Sequence, residues 1–288
     1  MLTFIINPAA GSGFATRTEQ EIRAFMQGQQ RPWQILHTQH PGHATELARQ
    51  AAQEGSEGVV AVGGDGTCFE VACGLTDTDV PMGIIPAGTG NDFIKTAGIP
   101  RKPMDALQPI LRGSSRPVDV GRLNERMFLN VCGTGFDVQV LDHMTSAKKY
   151  ARGILPYLIG LFKAIFFYKP VHVRFESDDA AAQERDVLIC SVANGRFIGG
   201  GIPICPDAGL DDGLLDMIVV ENVPRWKIPF YLPGLMLGKV CRFGVTTHVR
   251  CRRAKIVSEG MRLNVDGEII PMDSAEFTVL PGQLRLFC

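Results

Sequence analysis

Along the first 115 or so residues the apolar positions fall in short solid runs, separated by longer stretches with helical spacing. Leu2–Asn7, Trp33–Thr38, Val59–Val62 and Met82–Ile85 read as strands, and Phe14–Gln27 and His43–Gln53 as helices. That alternation predicts a parallel α/β sheet. Beyond Arg116 the pattern changes to apolar-polar alternation, in Val118–Leu123, Met127–Val131, Val171–Phe175, Val187–Val192, Leu214–Val220, Thr246–Val249, Ile256–Ser258, Leu263–Val265 and Phe277–Leu280. Such alternation is that of antiparallel strands, interrupted by helical segments near 137–168 and 224–238. The expected architecture is an α/β N-terminal domain followed from about residue 117 by a mostly antiparallel β domain, with no internal repeat and no low-complexity linker.

The candidate chemistry lies at the carboxyl ends of the early strands, where sheets of this kind bind ligands. Val60-Ala61-Val62 breaks into Gly63-Gly64-Asp65-Gly66-Thr67, three glycines around one acidic side chain. Glycine permits positive φ and close approach of backbone to ligand, so successive N–H groups can face one phosphate. Asp65 would repel that phosphate unless a cation lies between them, so the loop points to a nucleotide together with Mg²⁺. Asn7-Pro8-Ala9-Ala10-Gly11-Ser12-Gly13 and Pro86-Ala87-Gly88-Thr89-Gly90-Asn91-Asp92-Phe93 are two further glycine-rich turns after strands. Three such turns at three strand ends favour a shared anion site, with Thr89 and Asn91 suited to phosphate or ribose oxygens. The first turn is no dinucleotide fingerprint, because Thr16 stands where the third glycine belongs and His37-Thr38-Gln39 offers no ribose-binding acid. A Walker loop is also absent.

Composition narrows the partners. A chain of 288 residues with 45% hydrophobic and 20% charged residues is globular, and a net charge of −1 gives no global basic field for nucleic acid. The eight cysteines lack metal-ligand spacing and read as free thiols of a cytoplasmic protein. Ile154 to Tyr168 and Trp226 to Val240 are strongly apolar but too short or too broken by proline to span a bilayer. They read as core helices or as lipid-contacting ones, consistent with peripheral membrane association. Arg250, Arg252, Arg253 and Lys255, with Lys148, Lys149 and Arg152, are candidates for anionic headgroups, against the plainer reading of a solvated face. His37, His40 and His43 have a loose ligand-like spacing that Pro41-Gly42 interrupts.

Taken in order, these motifs resemble the diacylglycerol kinase catalytic domain in its soluble bacterial form. The resemblance continues through Gly133-Thr134-Gly135-Phe136-Asp137, Asn194-Gly195, Pro206-Asp207-Ala208, Asp211-Asp212-Gly213-Leu214-Leu215-Asp216 and Val265-Asp266-Gly267-Glu268. The GGDGT run alone is shared with NAD kinases. The resemblance implies an ATP-dependent lipid kinase whose nucleotide-binding α/β domain spans 1–117 and about 270–288, with a β-sandwich lipid domain over 118–269. It implies that Thr38, the loop Gly64, Asp65, Gly66, Thr67, Cys68, Phe69 and Glu70, and Thr89 contact ATP; Asn7 and Asn91 join that set from the flanking loops and Arg17 from the first helix. Relatives often carry Lys where this chain has Ser12, which leaves Arg17 as the nearest cation, and Asn where it has Phe69.

The resemblance assigns Glu268 as proton acceptor with Asp266 beside it, Asp65 as the residue that positions the catalytic Mg²⁺, and a structural Mg²⁺ at Gly209, Asp212 and Leu214. The chemistry is consistent, since a lipid hydroxyl needs a carboxylate to orient it and take its proton. Asp266 and Glu268 would share a face on a straight strand, whereas Asp266-Gly267 is equally a hairpin-turn pair. The expected activity is transfer of the ATP γ-phosphate to the hydroxyl of diacylglycerol or a related lipid at a membrane surface, by a protein for which a homodimeric state is open. The competing readings are an NAD kinase-like enzyme on a soluble acceptor and a catalytically silent lipid- or nucleotide-binding regulator.

Overall fold

Every residue of β1 (Leu2–Ile6) is buried, which suits an interior strand with partners on both edges. A computed structural model describes residues 1–147, 155–178 and 180–288 and divides the chain into two units. The first comprises Met1–Val120, Leu210–Gly213 and Leu280–Cys288. Its elements are β1, α1 (Phe14–Met26), β2 (Trp33–His37), α2 (His43–Gln53), β3 (Gly58–Gly63), α3 (Asp65–Leu75), β4 (Met82–Pro86), α4 (Asp92–Ala97) and α5 (Pro103–Arg112). Strands β1 to β4 pair in parallel: β1 lies between β2 and β3, and β3 pairs with β4. The register aligns Ile6 with both His37 and Val62, and Gly63 with Pro86. The turns after Ile6, His37, Gly63 and Pro86 therefore leave one edge of the sheet together. One face is covered by α1 and α5, whose Ile22, Met26, Leu107 and Ile110 pack on Leu2, Phe4, Val60 and Ile85.

Strand β5 (Ser115–Leu123) carries the chain into the second unit, Gly121–Gly209 with Leu214–Val279. It contains β6 (Arg126–Phe128), β7 (Val131–Gly135), α6 (Phe136–Ala147), α7 (Leu155–Phe167), β8 (Val171–Ser177), β9 (Ala180–Ala193), and the short pair β10 (Phe197–Ile198) and β11 (Ile202–Pro203). There follow β12 (Leu215–Glu221), α8 (Ile228–Met236), β13 (Thr246–Cys251), β14 (Arg253–Val257), β15 (Arg262–Val265), β16 (Glu268–Pro271) and β17 (Ser274–Phe287). Pairing is antiparallel, with β9 between β8 and β7 and β12 joining β9 to β13. Side-chain alternation divides the core. Leu215, Met217 and Val219 of β12 enter a cluster enclosed by strands, while Ile218 and Val220 face one completed by Phe136, Ala164, Tyr168 and Ile228 from the helical segments.

The first half of β17 pairs with β14, and its end runs parallel to β4 through Leu286 and Met82. The return to the first unit begins at Leu280 because Ser274–Thr278 are engaged by β14. The two apolar runs form α7 and α8, and among the described residues no helix is long and apolar enough to cross a membrane. All eight cysteines are free thiols.

Candidate functional site

The three glycine-rich turns of the first unit are packed against one another. Asn7 Nδ2 donates to Thr67 Oγ1 at 3.2 Å, which ties the first turn to the second. A Cβ on Gly11 would lie 2.2 Å from the Ala87 carbonyl oxygen, and one on Gly88 would lie 2.3 Å from Gly64 Cα. The first and second turns thus each touch the third at van der Waals limits. This corrects the expectation that Gly63, Gly64 and Gly66 serve positive φ, because none of them is left-handed. Gly63 and Gly64 are needed for space: a Cβ on Gly63 would sit 2.4 Å from Thr67 Oγ1. The left-handed residues are instead Gly11, Ser12 and Gly13 in the first turn and Asn91 in the third.

Asp65 starts α3 and its Oδ1 accepts the N–H groups of Asp92 at 2.6 Å and Phe93 at 3.1 Å. It therefore caps α4 from across the site, in place of a cap by α4's own Asn91 side chain, which bonds to the Gly88 carbonyl at 2.7 Å. Burial pushes the Asp65 carboxyl above its usual value, with Asp92 adding to the rise, while the amides of Phe93, Asp92 and Asn91 oppose it. Glu70 is engaged similarly, its Oε2 accepting the Ala44 N–H at the start of α2, and its carbonyl accepts Thr45 Oγ1. Thr67 and Cys68 are buried, and burial raises the Cys68 thiol well clear of reactivity. Thr38 follows β2 with its N–H on the Ile6 carbonyl, so it stands at the same edge of the sheet. Arg17, Thr89 and Gly66 are exposed and Phe69 half-buried there. The sequence did not single out Lys95, whose Nζ bonds both Asp92 at 2.7 Å and the Gly90 carbonyl at 2.9 Å and so braces the third turn.

In the second unit the Asp266-Gly267-Glu268 segment is a turn, with Val265 opposite Glu268. Asp266 and Gly267 have φ of 48° and 98°, both left-handed, as a two-residue hairpin between right-twisted strands requires. Of the two arrangements open to this segment, a shared strand face and a turn, it takes the turn. The Asp266 carboxylate accepts the N–H groups of Leu129, Asn130 and Val131 at 2.6, 2.9 and 3.1 Å, which makes it an anchor for the β6–β7 connection. Glu268 begins β16 with its side chain 69% exposed, 3.4 Å from Arg126. Behind the turn, Asn264 Oδ1 accepts the Gly267 N–H at 2.9 Å while its Nδ2 donates to Asp137 Oδ2 at 3.1 Å. Asp137 is half-buried, with its Oδ1 shielded from solvent and lacking a partner, and desolvation pushes its carboxyl above the usual range. Neither Asn264 nor a role for Asp137 was evident from spacing; the only signal was the unexplained Asp in Gly135-Phe136-Asp137.

The acidic turn containing Asp212 is held by protein groups. Asp119 Oδ2 accepts the Gly213 N–H at 2.7 Å, Asp119 N–H donates to the Leu210 carbonyl at 2.6 Å, and Arg116 pairs with Asp211 at 2.9 Å. His37 pairs with Glu19 at 2.8 Å, whereas His40 and His43 stack at 4.6 Å near Glu46. Lys255 is paired with Glu276 at 2.6 Å and Arg250 lies 3.8 Å from Asp216, while Lys148, Lys149 and Arg152 lie outside the described residues. The void beneath α8, lined by Phe136, Ile189, Tyr231, Leu232 and Leu235, is about 20 Å³, room for a water or two rather than an acyl chain. Outside it, Phe162, Phe166 and Phe167 on α7 and Trp226, Phe230 and Leu237 around α8 are all exposed by 61% or more.

Residues 1–123 match the diacylglycerol kinase catalytic domain, and residues 130–288 match the YegS C-terminal NAD kinase beta sandwich-like domain. The chain belongs to the diacylglycerol kinase family of lipid kinases. It is 28% identical to a diacylglycerol kinase of Mycobacterium tuberculosis over 99% of this chain and 94% of that one. A Pseudomonas aeruginosa protein described as "probable lipid kinase YegS-like" is 33% identical over 93% and 89% of the two chains. A crystal structure from Bacillus anthracis str. Sterne superposes with a TM-score of 0.79 at 27% identity, covering 99% of this chain and 96% of that one. An NAD kinase from Archaeoglobus fulgidus in complex with ATP shares the fold, with a TM-score of 0.55 at 14% identity over 100% and 94% of the chains.

Proposed function

We propose that the protein transfers the γ-phosphate of ATP to the hydroxyl of diacylglycerol or a closely related lipid, with Mg²⁺. The observation that supports this most is the mutual packing of the three turns, which presents backbone amides and the Asp65 carboxylate at one edge of the parallel sheet. The N-terminus of α3, where Gly66 is exposed, and the neutral side chains of Asn7, Thr38, Thr89 and Asn91 suit phosphate and ribose oxygens. In this reading Arg17, exposed on α1, supplies positive charge to the phosphates.

The residues fit Mg²⁺. A carboxylate has about four acceptor positions, so the amide bonds on Asp65 leave room for a hard cation or one of its waters. The cation would be held through Asp65 and would neutralise charge developing on the transferred phosphoryl group. In this reading Glu268 orients the lipid hydroxyl and accepts its proton. Asp266 fixes the backbone that carries Glu268, and Asn264 with Asp137 holds the turn from behind. Peripheral membrane contact falls to the aromatic face around α8. Trp226 and Phe230 meet edge to face at 6.4 Å, and Lys227 Nζ lies 5.3 Å from the Trp226 ring, an amphipathic pairing suited to a headgroup boundary.

The test uses vesicles with and without diacylglycerol, Mg²⁺ and ATP, and the variant Glu268→Gln. Phosphatidate should form with wild type and fall by ~10²–10⁴-fold in the variant, with ATP affinity unchanged. A Glu268→Gln enzyme of undiminished kcat would remove the proposed base.

A further inference from the structure

A second cluster of ligand-type side chains lies in the second unit, formed by residues the kinase reaction does not use. Asp207, Cys241 and His248 each place one carboxylate oxygen, thiol sulfur or ring nitrogen so that all three lie within 4.8 Å of one another. They come from three separate pieces of chain: the connection after β11, the helical turn Val240–Arg242 and strand β13. The Cys241 sulfur and the Asp207 carboxylate are near neighbours within this group.

Behind them stands Asp216 on β12. The antiparallel register puts Ile218 opposite His248 and Asp216 opposite Arg250, so Asp216 and His248 share a face as diagonal neighbours. Asp216 is 1% exposed, its Oδ1 is 2.5 Å from His248 Nε2, and its Oδ2 has no partner. A buried carboxylate hydrogen-bonded to one ring nitrogen of a histidine is the usual support of an imidazole that ligates a metal through the other. With Nε2–H donating to that carboxylate, the Nδ1 lone pair would be the one left for a cation. Arg250, 3.8 Å away and 44% exposed, compensates Asp216 only in part.

We infer that Asp207, Cys241 and His248 form a site for a Zn²⁺-type transition metal, with Asp216 as its supporting carboxylate. The donor set decides the class, because a thiolate with an imidazole selects a borderline-soft cation over Mg²⁺ or Ca²⁺. The size is suitable too. Zn–S of ~2.3 Å and Zn–N or Zn–O of ~2.0–2.1 Å place tetrahedral ligand atoms about 3.3–3.6 Å apart. Closing from 4.8 Å takes small rotations of Asp207 and Cys241, neither of which is buried. On binding, the sulfur–metal bond replaces the Cys241 S–H and the proton leaves to solvent. Three protein ligands leave a fourth position for water, and the metal would staple the Asp207 loop and the Cys241 turn to β13.

The site is tested with the full chain, stripped by chelator and kept under a non-thiol reductant, then titrated with Co²⁺ and with Zn²⁺. Co²⁺ should bind with a thiolate-to-metal charge-transfer absorption that one equivalent of Zn²⁺ abolishes. Cys241→Ser should lose that absorption while keeping the wild-type thermal midpoint of the metal-free protein. Asp216→Asn should weaken binding 10–100-fold with the band still present at saturation. A Co²⁺ spectrum without thiolate absorption, including one from His40, His43 and Glu46 alone, would overturn the assignment. So would a thiolate band of equal intensity in Cys241→Ser.

Discussion

Asp65 joins two demands in one carboxylate: it caps α4 through Oδ1, and in the proposed reaction it faces a cation. These separate on substitution. Asn keeps an oxygen that can accept from the Asp92 and Phe93 amides but carries no charge, whereas Ala loses both functions. Because burial already disfavours the ionised form, Asp65→Asn is expected to melt at or above the wild-type midpoint at pH 7 while losing at least ~10²-fold in phosphoryl transfer. Calorimetric melts alongside rate measurements check this, and a folded variant with wild-type turnover would contradict it. The Asp137 carboxyl gives a pH dependence. Its folded value lies above that of an ordinary aspartate, so the native state binds more protons than the unfolded chain over the interval between the two. Stability from this group is therefore lost as pH rises through that interval. Asp137→Asn removes the effect, and the variant's melting advantage over wild type should grow from about pH 4 upward and then level off. An advantage that shrinks with pH would show the sign to be wrong.

At the scale of elements, the hairpin β15–β16 and the connection it anchors are a structural unit. Removing the Asp266 carboxylate leaves three amides, from Leu129, Asn130 and Val131, without their acceptor. At ~1–3 kcal/mol for each buried donor left unpaired, Asp266→Ala should destabilise the protein by roughly 3 kcal/mol or more, while Glu268→Gln leaves stability unchanged. Urea unfolding of the two variants side by side separates anchor from base. Here the sequence was legible only in part. The Asp-Gly pair admitted both a strand face and a turn, and the deciding partners, Leu129 to Val131, are more than 130 residues away in the chain. Hydrophobic runs such as Val59–Val62 were plain because a parallel strand is buried on both faces. The glycine loop does follow strand β3 as its pattern indicates, but its glycines meet a different physical demand, since steric closeness to Thr67 and Gly88 depends on tertiary packing that no local pattern encodes. Asn264 and Lys95 escaped notice likewise, each being an ordinary polar residue until its partners are known.

For the molecule as a whole, a net charge of −1 provides no long-range pull toward an anionic bilayer, so the proposed membrane contact rests on exposed aromatic side chains. Inserting part of Trp226 or Phe230 buries enough area for about 1–3 kcal/mol. Trp226→Ala and Phe230→Ala should each weaken vesicle partitioning by ~10–100-fold, with only mild dependence on salt; sedimentation with liposomes measures it. Strong salt dependence with aromatic variants unaffected would move the contact to a basic surface instead.

The central claim, that the phosphate acceptor is a lipid hydroxyl rather than a soluble one, is tested most directly by competition. Wild-type protein receives γ-labelled ATP and Mg²⁺ with diacylglycerol vesicles and NAD together, and the products are separated. The account predicts label in the lipid fraction, absent when Asp65→Asn replaces wild type; label in NADP with none in lipid would contradict it.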